Sequence, residues 1–435
     1  MNLRWFTSKT VRHAGAMRKH VQNMLNAQRD ILTPQAVQSI ADALGEFSKS
    51  IEANLKKEEL IKQMEKLDQV ASKWLKPYPN HVWRENVEVF LVALAVAMGI
   101  RTFFVQPFKI PTGSMQPTLF GITSTPDFAN ARSEAELVEQ AKLRDSLQPA
   151  SGWQSVEEWF GGTSYLNFKA EEDGKFDGTS RPLRFLLFNI KQTIWFAGKP
   201  HNLWFPPDSG GAPSYNWGNL MGYVQAIFSP LPADENAPPD LERRMGLRRG
   251  QPFAKGDEIL RMKVVAGDHL FVDRLTYNFR KPERGEIAVF ATAGTRIQQQ
   301  DQFYIKRLVA MGGEKVQIGD DRHLIIDGHR LDASTPHFEN VYSFDPNKPP
   351  HESEFSGHVN DTVAVRYGRP RGLAPLFPDQ KETYPLPADT YMVMGDNTLN
   401  SSDSRAWGEF PATNIIGKSF FVYWPITGRF GWGHR

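Results

Sequence analysis

The sequence contains no cysteine. That excludes disulfides, thiolate metal sites and a cysteine nucleophile. It also lacks an excess of either charge, with a formal net charge of +2. No basic tract is interleaved with aromatics, so nothing in the pattern calls for nucleic acid. Residues 1–29 have no unbroken apolar core, and a cleavable leader is not expected there. Long hydrophobic runs are scarce, and the one that stands out is Val89 to Ile100. The 435 residues are enough for roughly two to four domains.

What is present divides the chain into unlike regions. Residues 1–31 are basic, with Arg4, Lys9, Arg12, Arg18, Lys19 and Arg29 against Asp30. Trp5 and Phe6 give the segment an apolar tip. It reads either as an interfacial helix drawn to anionic lipid or as a solvated basic helix. Thr33-Pro34 then marks a helix start, Thr33 as N-cap and Pro34 at the first helical position. Ile40, Leu44, Phe47, Ile51 and Leu55 recur at steps of three and four. Leu60, Met64, Leu67, Ala71 and Trp74 continue with a change of phase. The spacing predicts one long or two shorter amphipathic helices, packed in a hairpin or against a second copy of the chain.

The run Val89 to Ile100 is short of the roughly twenty residues that cross a bilayer. Extended to Val87–Val105, with Glu88 and Arg101 near its ends, it reaches that length. Arg101 can snorkel, and Phe103 and Phe104 suit an interface. Upstream lie Lys66, Lys73, Lys76 and Arg84; downstream only Lys109 is clear of the segment. The bias predicts a single span with residues 1–86 in the cytoplasm. A buried core helix is the alternative.

After the span comes Ile110-Pro111-Thr112-Gly113-Ser114-Met115-Gln116-Pro117-Thr118-Leu119. Two flanking prolines and a glycine oppose a regular helix, so Ser114 is expected on an extended or turned loop. Residues 122–262 change character. They are rich in Trp, Pro, Gly and Asn, with a short helix expected over Glu134–Leu147 and a loop over Pro230–Pro239. Their aromatics fit either an exposed surface for membrane or polypeptide or a small core. From 263 onward short strands dominate: His269–Leu275, Glu286–Phe290, Phe303–Ala310, a hairpin turning at Asp327-Gly328, Tyr391–Met394 and Ile415–Trp424. This predicts an antiparallel β architecture. Residues 334–388, with many prolines, are expected as a long loop excursion.

Two further features bear on Ser114. Period-two alternation places Tyr304, Lys306 and Leu308 on one strand face. If that face is buried, Lys306 loses solvation and its pKa falls, and a neutral amine can deprotonate a serine. The plainer reading is a lysine in solvent beside Arg307. The loop Gly395–Arg405 gathers small polar residues beyond what one turn requires, with Asp403 and Arg405 able to pair across it.

Three stretches taken together resemble the bacterial type I signal peptidases, the membrane-bound Ser–Lys leader peptidases. They are Pro111–Leu119, Tyr304–Val309, and Gly395-Asp396-Asn397 with Ser401–Arg405. Gly267–Arg274 and Arg284–Phe290 resemble the family's intervening strand region. The resemblance implies a mainly β fold, with an antiparallel catalytic domain, an N-terminal helical region and one transmembrane helix. It implies Ser114 as nucleophile and Lys306 as general base. Ser401 would orient the lysine, and Thr112 with the Ser114 N–H would form the oxyanion hole. Asp403 and Arg405 would brace the site. Phe108, Ile110, Met115, Leu119, Tyr304 and Ile305 would line shallow pockets for small residues before the cut.

The implied organisation is a cytoplasmic helical region (1–86), a transmembrane helix (87–106), a catalytic domain outside the inner membrane (107–121 with 263–435) and a large insertion (122–262). The implied activity removes signal peptides from exported preproteins after an Ala-x-Ala pattern, without metal or organic cofactor. Its partners would be those preproteins and the lipid bilayer. The insertion, the length of the N-terminal helical region and Thr398-Leu399 depart from the family's usual pattern. Two other readings stand beside it: an anchored scaffold on a peptidase-like fold, and a soluble self-cleaving regulator.

Overall fold

Thr33 stands between two helices, as its residue type and the following proline require. The computed structural model describes residues 8–53, 55–76, 81–131, 133–180, 182–185, 188–207, 240–297, 300 and 302–432. It forms two compact units, Met1–Ala97 and Met98–Arg435.

In the first unit, helix α1 (Lys9–Gln28) is followed by α2 (Pro34–Glu52) and α3 (Lys57–Trp74). Thr33 Oγ1 accepts from Ala36 N at 3.3 Å, capping α2. The amphipathic stripe is divided over α2 and α3, which meet through Ile40, Leu44, Phe47, Leu60, Leu67 and Ala71. The basic segment forms α1, which has one buried face. It buries Ala14, Val21 and Leu25 in the same core while Lys9, Arg12, Arg18 and Lys19 stay exposed. The apolar tip at Trp5 and Phe6 lies outside the described residues.

Helix α4 (His81–Phe103) carries the apolar run. Its stretch Glu85–Phe103 is long and apolar enough to cross a membrane, and none of it is buried within the protein.

The second unit is built on strands. β1 (Val105–Lys109) starts one residue beyond Phe104, and the loop bearing Ser114 follows it. The region expected as an insertion then supplies β2 (Thr123–Thr125), α5 (Glu134–Ser146), α6 (Trp153–Phe160), β3 (Thr163–Lys169), β4 (Gly174–Thr179), β5 (Leu183–Phe185), β6 (Phe188–Phe196), β7 (Lys199–Trp204), β8 (Pro252–Phe253) and β9 (Glu258–Val265). α5 lies where the sequence placed a helix. The strands are a structural finding: the expectation from composition names none of them, although β3, β6 and β9 each run seven to nine residues. They form one sheet of order β2-β9-β3 and another of order β5-β6-β4-β8 with β7 on β6. Leu166, Phe176, Ile194, Phe196, Leu260 and Met262 give this region its own core. Its pairing runs through Val265, three residues past the boundary drawn from composition. The loop expected at Pro230–Pro239 lies outside the described residues.

The remaining strands are β10 (His269–Asp273), β11 (Ile287–Ala291), β12 (Phe303–Met311), β13 (Lys315–Ile318), β14 (Leu324–Ile326), β15 (His329–Arg330), β16 (Tyr384–Pro385), β17 (Thr390–Met394), β18 (Phe410–Pro411) and β19 (Ile415–Trp424). The principal sheet runs β1-β10-β19-β11-β12-β17-β18 with antiparallel neighbours, and β1 ends the order. The hairpin of β14 and β15 turns at Asp327 and Gly328, both with positive φ, as a primed turn requires. Residues 334–388 are more than a loop. Phe338, Tyr342 and Phe377 pack there against β13, β14 and β17, and β16 pairs with β13. The described residues are therefore mainly β with a helical N-terminal region and one membrane-length helix among them, the fold class expected from sequence.

Candidate active site

A strand, a loop and a turn converge at Ser114. Gly113–Met115 forms one turn of 3₁₀ helix, and Ser114 and Met115 are buried in it. Extended Thr112 precedes the turn and is exposed. On β12, Lys306 lies 4% exposed, and its Nζ donates to Ser114 Oγ at 2.7 Å. The same Nζ donates to the carbonyl of Ile305 at 3.1 Å and stands 5.4 Å from the Tyr304 ring centre. Burial lowers the Lys306 pKa to about 8. The Asp403 and Asp396 carboxylates oppose that fall, and Arg405 adds to it. Lys306 is thus not the solvent-facing lysine of the plainer reading. Arg307 beside it is buried as well.

The loop after β17 holds the serine turn in place. Asn397 N donates to Ser114 O at 3.1 Å, and Asn397 Nδ2 donates to Gly113 O at 2.9 Å. Gly395 is pressed against the same carbonyl. A Cβ there would fall 2.4 Å from Ser114 O and 2.3 Å from Ser401 Oγ, so only glycine fits without displacement.

Ser401 is brought into this cluster, but no hydrogen bond joins it to Lys306. Its buried Oγ has no partner at hydrogen-bonding geometry and lies by the Asp403 carboxylate. The sequence expectation of a direct Ser401–Lys306 bond is therefore not met in this state. The brace is present. Arg405 Nε and Nη2 donate to the two Asp403 oxygens at 2.9 and 2.8 Å, with both side chains fully buried. Gly395 N donates to Asp403 Oδ2 at 3.0 Å, which ties the brace to the serine turn. Burial raises the Asp403 carboxyl, but Arg405 and these donors more than offset it and hold it below the ordinary range.

The apolar residues separate by strand alternation. Ile110, Met115 and Leu119 are buried together, with Phe108 and Ile305 against them. Phe303, two positions before Ile305, joins that face and meets Phe108 edge-on at 5.5 Å. Tyr304 packs on the other side, against Phe290. So five of the six expected lining residues share one cluster, Tyr304 faces the lysine side instead, and Phe303 was overlooked although period two places it beside Ile305.

Other partners were also missed. Asp396 receives Arg307 and the Thr118 hydroxyl, linking β12 to both loops. Arg307 and Asp396 both stand inside motifs quoted for other reasons, but nothing local announces the pairing.

The arrangement is a buried serine–lysine pair carried by an antiparallel β unit. The family model described as "Signal peptidase, peptidase S26" matches residues 83–123 and 258–424, passing over residues 124–257, which carry most of the inserted strands. Over those two stretches the chain is similar to that family. It is 29% identical over 167 residues to a signal peptidase I of Leptolyngbya laminosa, covering 38% of this chain and 64% of that protein. It is 28% identical over 202 residues to one from Pseudomonas fluorescens, covering 40% and 66%. A Haemophilus influenzae signal peptidase I is 27% identical over 237 residues, with coverage of 41% and 67%. The match to the first of these thus spans less than two thirds of its length.

Proposed function

We propose that this chain is a membrane-anchored serine endopeptidase that removes signal peptides from exported preproteins. The observation that carries the reading is the 2.7 Å contact between Ser114 Oγ and a buried Lys306 whose pKa lies near 8. In the neutral amine the contact reverses, and the hydroxyl donates to nitrogen. Lys306 takes that proton as Oγ attacks the scissile carbonyl. The Ser114 N–H and the exposed Thr112 hydroxyl would receive the developing oxyanion. Collapse breaks the C–N bond, and the lysine proton leaves with the new amine. A water molecule, deprotonated by the same amine, then hydrolyses the acyl ester and restores Ser114.

Ser401 would orient Lys306 once substrate fills the cleft, and Asp403 with Arg405 would hold the turn that carries it. The cluster of Phe108, Ile110, Met115, Leu119 and Ile305 would accept small side chains and exclude bulk, which accounts for an Ala-x-Ala preference. Edge strand β1 offers its outer side to an extended substrate. α4 would anchor the enzyme as a single span in the inner membrane, with residues 1–86 cytoplasmic and the β unit outside. Tethering would raise the effective concentration of a substrate whose apolar segment lies in the same bilayer.

The test is preprotein cleavage by full-length protein in detergent. Wild type is expected to cleave after the small-residue pattern, and Ser114→Ala and Lys306→Ala to fall to background. Undiminished cleavage by either variant would remove the dyad from the mechanism.

A further inference from the structure

The serine loop is closed by one residue outside the dyad. Asp268 lies just before β10 and is fully buried. Its carbonyl accepts from Ile110 N at 2.9 Å, and its own N–H donates to Phe120 O at 2.8 Å. Its Oδ2 accepts from Phe120 N at 2.8 Å. The backbone entering the loop at Ile110 and leaving it at Phe120 is therefore gathered on a single aspartate. The fit is tight: a Cβ on Gly267 would meet Ile110 O at 2.0 Å.

A buried carboxylate needs a countercharge, and Arg429 provides it from the segment beyond β19. Arg429 Nε donates to Asp268 Oδ2 at 2.9 Å, and Nη2 donates to Oδ1 at 3.0 Å. The guanidinium also lies over the Phe120 ring, 4.1 Å from its centre. A cavity borders the loop on this side. Its volume is about 430 Å³, and it is bounded by Pro117, Thr118 and Leu119 of the loop and by Arg429, Phe430 and Trp432. Hydrogen bonds and charge join the buried Leu119 and Met115 in holding the loop's exit.

We propose that Arg429 is a positioning residue: through Asp268 it clasps the loop 110–120 and sets where Ser114 stands relative to Lys306. The role rests on the peptidase reading above. It predicts an effect chiefly on the chemical step, because neither Arg429 nor Asp268 belongs to the proposed pocket cluster and a small displacement of a nucleophile is costly.

The experiment uses full-length protein in detergent, with a preprotein substrate and amide hydrogen exchange measured in parallel. Arg429→Ala is expected to lower kcat by about tenfold with KM within about twofold, and to speed exchange at Ile110 and Phe120. Because the truncation opens toward the cavity, free guanidinium at tens of millimolar should restore much of the lost rate, and sodium at equal strength should not. Arg429→Lys, which keeps charge but not the fork, should fall between wild type and alanine, and it serves if the alanine variant fails to fold. An unchanged kcat overturns the proposal, whether or not exchange quickens. So does a rise in KM at constant kcat, since that marks a substrate contact. If wild type itself does not cleave, the peptidase reading fails, while the exchange data still decide whether Arg429 clasps the loop.

Discussion

Arg307 grips Asp396 with two parallel hydrogen bonds, Nε to Oδ1 at 2.7 Å and Nη2 to Oδ2 at 2.6 Å, and both side chains are buried. Arg307 adjoins Lys306 on β12, and Asp396 lies between Gly395 and Asn397, which touch the serine turn. The Thr118 hydroxyl also donates to Asp396. Lysine strand, serine loop and late loop thus meet in one ion pair. Geometry of this kind supplies direction as well as energy, because the planar fork fits a carboxylate in one orientation.

Breaking that pair from one side leaves the other charge stranded. Asp396→Ala or Arg307→Ala should each cost about 3–5 kcal/mol of unfolding free energy, and Arg307→Met with Asp396→Leu together should cost less than either alone. Denaturant unfolding followed by tryptophan fluorescence reads all three. Losses that simply add would show that the pair is not coupled.

The acid limb of the rate should report Lys306. Only the neutral amine accepts the serine proton, so kcat/KM should rise with pH through a midpoint near 8 and level off above it. A profile flat from pH 6 to 9 would mean another group is the base.

Stability should move with the same proton. An unfolded lysine keeps its proton to about pH 10.4, whereas folded Lys306 releases it near 8. Between those values the unfolded chain binds more protons, so stability rises with pH across that window, and below it the full penalty of burying the cation applies. Lys306→Met, inactive, should therefore be more stable than wild type at pH 7 by about 2 kcal/mol after allowance for the lost hydrogen bond. The gain should shrink toward pH 10, a difference that unfolding curves at the two pH values would show.

Gly395→Ala should leave the fold intact and disable the site. The added methyl meets Ser114 O and Ser401 Oγ well inside contact distance, so the serine turn must shift. A fall in kcat of about a hundredfold at nearly constant KM is expected. Unchanged turnover would mean that the turn relaxes without cost to the Ser114–Lys306 contact.

Local chemistry alone settled more of this protein than its size suggests. Thr33-Pro34 starts a helix because the side chain and the fixed φ act within one turn. The alternation along β12 and the primed turn at Asp327-Gly328 follow from the same short-range rules. The apolar run at Val89–Ile100 marks a membrane-length helix by composition. Ser114, Lys306 and the Asp403–Arg405 brace were visible because their motifs combine into a family pattern. Only the tertiary structure could place partners 192 positions apart in hydrogen-bond contact, because pairing across a sheet depends on register among strands distant in sequence. The same holds for the inserted sheets, whose pairing brings Thr123 and Thr163 to the same Val265. It holds for Arg307 with Asp396. It holds most plainly for Arg429, an unmarked residue near the end of the chain that closes on Asp268 and on the loop carrying Ser114.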